Sequence, residues 1–124
     1  MNTKVLKETK LAYADCNTPD FNKGMRLRNL SFRASAPVPV ADAVKIMTES
    51  LGLKSPTQEG YNNFAPALLR RLPEGSKVTL AREGSVCVYV TPPKLTEVTQ
   101  KDADSMMADE FHSQTDGTVR LWWD

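Results

Sequence analysis

Cysteine, histidine and long apolar runs are scarce in this chain, and each scarcity removes a class of function. Cys16 and Cys87 are the only cysteines and stand far apart, too few for a disulfide framework or a zinc site. Both are expected as reduced thiols in a cytoplasmic protein. Cys87 falls mid-strand with no base near it in sequence, so packing is its expected role. The single histidine, His112, follows Asp109 by three residues. A helix would put the two on adjacent turns as metal ligands or an acid–base pair, but the neighbouring Asp102 and Glu110 would be spread around that helix. The glycines are isolated, so there is no phosphate loop, and no G-x-S-x-G elbow occurs. No apolar run approaches the ~18 residues of a membrane span, and the first fifteen residues lack an apolar signal core. Neither secretion nor a membrane partner is expected. No motif fixes a reaction or a ligand, so the sequence predicts no enzyme, cofactor or metal.

What is present suits one globular domain. The chain has 124 residues, 40% of them hydrophobic and 25% charged, with a net charge of +1, which are ordinary values for a domain with one core. The charge is unevenly spread. Residues 21–82 carry a balance of +6, including Lys23, Arg26, Arg28, Arg70 and Arg71, while residues 83–124 carry −5. The two blocks either neutralise each other across the fold or leave a basic surface for a partner.

Alternation locates the strands. In residues 77–90, Val78 and Leu80 alternate with Thr79 and Ala81, and Val86, Val88 and Val90 alternate with Cys87 and Tyr89. A turn at Arg82-Glu83-Gly84-Ser85 joins them into a hairpin that Pro92 and Pro93 close. Residues 26–35 read as a strand with Leu30, Phe32 and Ala34 on one face, and residues 118–123 as another with Val119, Leu121 and Trp123 inward. Between them, Val40, Val44, Met47 and Leu51 make a helical stripe ended by Gly52. A short helical excursion follows, starting at Ser55-Pro56 and limited by Pro66, with another turn or two over residues 67–72 that Pro73-Glu74-Gly75 ends. A second long helix is expected over residues 100–112, from Ala103, Met106, Met107 and Phe111, with Thr99 and Asp102 as a capping box. Residues 1–25 lack clear periodicity and are expected as a peripheral arm, with an edge strand near residues 10–14 as one option.

This order resembles the βαββαβ pattern of ferredoxin-like folds over a single α+β domain at residues 26–124, with a four-stranded, mainly antiparallel sheet and two helices on one face. The alternative is a winged helix-turn-helix over residues 39–92, which would present a helix to a DNA groove.

Strand parity then yields the candidate site. If the valine and leucine positions face the helices, Arg33, Tyr89, Arg120 and Trp122 share the opposite face. Rings beside guanidinium groups suit a protein interface. They are also similar, in element order and face chemistry, to sheets that stack unpaired RNA bases, although the VCVYV strand carries no RNP signature. The expectation is a small non-enzymatic adaptor or inhibitor that docks on a larger protein or nucleoprotein through this face. Single-stranded nucleic-acid binding is the alternative, with Lys23, Arg26, Arg28, Arg70 and Arg71 as a secondary basic surface. The sequence leaves a homodimer open.

Overall fold

A computed structural model describes residues 1–14, 31–60 and 64–124. The fold is an α+β domain built on an antiparallel sheet of six strands: β1 (Ser31–Arg33), β2 (Val38–Pro39), β3 (Lys77–Glu83), β4 (Ser85–Thr91), β5 (Glu110–Ser113) and β6 (Val119–Trp122). Neighbours run β1-β3-β4-β6-β5, with β2 also paired to β3. Among the described residues, three α-helices, α1 (Thr3–Tyr13), α2 (Val40–Ser50) and α3 (Gln100–Ser105), and a 3-10 helix (Pro66–Arg71) accompany the sheet.

The hairpin forms as its alternation requires. Leu80 pairs with Val88 and Val78 with Val90 on the core face, while Thr79 pairs with Tyr89 and Ala81 with Cys87 on the other. The reversal is tighter than a four-residue turn, for Glu83 pairs with Ser85 and Gly84 alone turns the chain at φ 72°. A positive φ costs glycine little because it has no Cβ. β6 extends the sheet with Val88 opposite Leu121 and Val90 opposite Val119. On the core face these residues meet Ala43, Val44, Ile46 and Met47 of α2, all buried in one cluster with them. Trp123 closes one end, its ring centroid 4.8 Å from that of Phe64 and its Nε1 donating to the Met106 carbonyl at 2.9 Å.

Four expectations change. The ferredoxin-like, four-stranded arrangement is replaced by six strands, and β1 and β3, which are linked through α2, lie antiparallel. A βαβ crossover would have set its two strands parallel. The winged alternative needs a recognition helix before the hairpin, and the described residues there hold only the 3-10 helix. The helix expected over residues 100–112 stops at Ser105. Its capping box forms, Thr99 Oγ1 accepting from the Asp102 N–H and the Asp102 carboxylate from the Thr99 N–H. Met107 then takes a left-handed φ of 62°, and the Ala108 N–H returns to the Ala103 carbonyl at 3.0 Å, which closes the helix end. Residues 110–113 enter the sheet as β5, so Phe111 reaches the core from a strand. Because the box anchors so short a helix, Thr99→Ala is expected to cost about 1 kcal/mol, read as a lower urea midpoint with unchanged slope.

The fourth change is at the N-terminus, where residues 3–13 form a helix and no strand begins at residue 10. The Asn2 side chain caps it by accepting from the Val5 N–H at 3.1 Å. Val5, Thr9, Ala12 and Tyr13, at helical spacing, are buried. Tyr13 donates its hydroxyl to the Ala81 carbonyl at 2.6 Å, and the buried Arg82 guanidinium donates to the Ala12 carbonyl at 2.9 Å. Lys10 meets Glu49 of α2 at 2.6 Å. The part of the expected arm that is described therefore packs into the core. The rest of it, Leu30, Cys16 and the basic residues Lys23, Arg26 and Arg28 lie outside the described residues.

Candidate functional site

Parity brings the four expected residues to one face. Arg33 is opposite Ala81, Tyr89 opposite Thr79 and Arg120, and Trp122 opposite Cys87 and Glu110. The side chains also touch. The Arg33 guanidinium carbon sits 3.7 Å from the centroid of the Tyr89 ring, a cation–π contact. Trp122 packs on a small cluster of Ala81, Cys87 and Tyr89.

The organising group is one that sequence reading placed in the turn. Glu83 is the last residue of β3, and its carboxylate lies under this face. Its Oε2 accepts from the Tyr89 hydroxyl at 2.5 Å and from the Cys87 thiol at 3.2 Å. Arg120 Nε lies 3.3 Å from its Oε1, and Trp122 Nε1 donates to its main-chain carbonyl at 2.9 Å. Arg120 also reaches across to β5, donating Nη1 to Glu110 Oε1 at 2.9 Å. His112 Nε2 lies 3.3 Å from the same oxygen. All of these groups except Glu83 come from β4, β5 and β6, and the antiparallel register alone aligns them.

The electrostatics follow from that convergence. Burial pushes the Glu83 carboxyl up, but hydrogen bonds from Tyr89 and Cys87 and the charge of Arg120 outweigh it, and the group titrates below its ordinary value. The Cys87 thiol is pushed far up, first by burial and then by the Glu83 carboxylate. A thiol held protonated in this way is a poor nucleophile. Burial and the same carboxylate raise the Tyr89 phenol. Arg120 holds the Glu110 carboxyl below its ordinary value.

The face is therefore not an open aromatic platform. Tyr89 is only 7% exposed and Cys87 fully buried, while Trp122 is half-buried and Arg33, Glu110 and His112 are exposed. Of the secondary basic residues described, Arg70 and Arg71 lie on the 3-10 helix, away from this face, and Arg71 donates to the Ser105 carbonyl. The Asp109–His112 pairing read from helical spacing does not form. His112 is on β5, and the Asp109 carboxylate accepts from the Asp124 N–H at 2.8 Å. Among the described residues, no three His, Cys, Asp or Glu side chains are grouped to hold a metal, and no helix is long and apolar enough to cross a membrane. No family model, curated protein or solved structure matches the chain.

Proposed function

We propose that the chain is a small non-catalytic interaction protein, an adaptor or inhibitor, that docks on a larger protein through the sheet face bearing Arg33, Trp122, Arg120 and Glu110. The observation that carries this reading is the internal pairing of the guanidinium groups. Arg120 is shared between Glu83 and Glu110, and Arg33 lies on the Tyr89 ring. The face thus presents a fixed, nearly neutral surface with a half-buried indole beside the hairpin turn, the kind of anchor that dominates protein interfaces. Nucleic-acid affinity rests on cations free to displace counterions from phosphate, which this arrangement disfavours. Base stacking on Tyr89 would also require Arg33 to leave the ring. The protonated Cys87 supports a role without covalent catalysis, and its free thiol suits a cytoplasmic setting.

The test is purification from native lysate with and without nuclease, followed by affinity measurement on the isolated partner. Trp122→Ala is expected to cost on the order of 2 kcal/mol of binding, and Arg33→Ala less, with mild salt dependence and unchanged circular dichroism. Release of the bound material by nuclease, or a steep fall of affinity with salt that Arg33→Ala flattens, would replace this reading with single-stranded nucleic-acid binding.

A further inference from the structure

β5 ends the strand order, and its outer edge has a definite hydrogen-bonding pattern. The Trp123 N–H bonds the Val86 carbonyl at 3.0 Å, so the odd residues of β6 point their main-chain groups at β4 and the even ones, Arg120 and Trp122, at β5. The Gln114 N–H bond to the Thr118 carbonyl at 2.8 Å lies in the same phase. Glu110 and His112, opposite Trp122 and Arg120, therefore spend their main-chain groups on β6. Phe111 and Ser113 direct theirs outward, where no described residue meets them.

We propose that this edge pairs with the same edge of a second copy of the chain, antiparallel about a two-fold axis at Phe111, to make one continuous sheet. The edge is self-complementary in three ways. With Phe111 opposite the partner's Phe111, the outward N–H and C=O groups of the two residues satisfy each other. The adjacent pairs then set Glu110 opposite the partner's His112, and His112 opposite the partner's Glu110, on one face of the sheet. These are non-hydrogen-bonded positions, where side chains approach most closely. Glu110 has capacity for this contact, since its bonds to Arg120 and His112 both use Oε1, and an imidazole N–H donates to a carboxylate whether or not the ring is charged. On the other face the half-buried Phe111 rings abut. A cleft of about 450 Å³ lies beside them, lined by Phe111, Ser113, Gln114 and Val98. The same rotation carries the partner's Met107, which is 70% exposed at the end of α3, toward the cleft. These contacts extend the buried surface beyond one short strand pair, as a stable dimer requires.

Sedimentation equilibrium of the full chain tests this. Wild type is expected to show twice the 13.8 kDa chain mass at about 100 μM. Ser113→Pro removes only an outward-facing N–H, which edge strands tolerate, and His112→Glu sets like charges opposite each other. Each is expected to weaken association at least about tenfold while leaving the urea midpoint close to wild type. A wild type that stays monomeric at that concentration, or a dimer that neither substitution weakens, would overturn the proposal.

Discussion

Val88→Asp is expected to destabilise the chain severely, far more than a matched substitution on the other face of the sheet. Val88 has no exposure, sits in a strand paired on both sides, and faces the core between Leu80 and Leu121. A carboxylate there has no partner, so it must stay buried and charged, take up a proton, or break the sheet, and each route costs several kcal/mol. A loss of more than about 4 kcal/mol is expected, which consumes most of the stability of an ordinary domain of this size. Thr79→Asp is the matched control. Thr79 lies on the neighbouring strand but on the opposite face, half-exposed and across from Tyr89, and a loss within about 1 kcal/mol is expected there. Urea midpoints of the two variants check the contrast. Equal losses at both positions would mean that both faces of the sheet exclude water.

The same parity marks how far the sequence was legible. A period of two needs only three or four residues to declare itself, so 86–90 and 119–122 revealed which side chains share a face, and Arg33, Tyr89, Arg120 and Trp122 do share one. α2 was legible because its stripe spans three turns and ends at Gly52, whose φ is 70°. α1 was not, because Thr9, one of its buried positions, is polar and hides the stripe. Thr9 is tolerated there because its hydroxyl bonds the Val5 carbonyl at 2.8 Å. An asparagine before a Val5, Thr9, Ala12, Tyr13 spacing was the signal available. In residues 100–113, helical spacing and core burial coincide. Ala103 is buried from α3, Met106 from the position just after it, and Phe111 packs on the core from β5, so a count of apolar positions cannot show that Met107 turns the chain between them. Non-glycine residues rarely adopt a positive φ, and nothing local announces it. Topology was the least legible level, since element order does not say whether strands joined through a helix lie parallel or antiparallel.

The candidate site shows the same division. Its members followed from alternation, but its centre did not, because Glu83 beside a glycine reads as turn until Gly84 alone is seen to reverse the chain. Once Glu83 is counted as the last strand residue, parity places it with Ala81 on the face of Tyr89. A charged residue flanking a one-glycine turn is worth testing as strand before it is assigned to loop.

Glu83→Ala is accordingly expected to cost about 3 kcal/mol. The substitution strips the acceptor from the Tyr89 hydroxyl and the Cys87 thiol, both on buried residues, and removes one of the two carboxylates that hold Arg120. A donor left without a partner loses its full desolvation cost, which exceeds the net worth of the bond it made. Glu83 is itself 33% exposed in its side chain, so water can enter the gap, and the loss stays below that of a fully buried pair. Glu83→Gln separates charge from shape, since it keeps an acceptor oxygen and abolishes titration. The folded carboxyl titrates below its ordinary value of 4.5, so the unfolded chain takes up the proton first on acidification. The stability that ionised Glu83 contributes is therefore complete above that value and is lost as pH falls through the lower folded one. Urea midpoints of wild type and Glu83→Gln should differ most near neutral pH and converge as the pH falls from the ordinary carboxylate value through the lower folded one. A gap that stays constant over that range would show that the carboxylate charge does not organise this face, and the network would have to be centred on Arg120 and Glu110 instead.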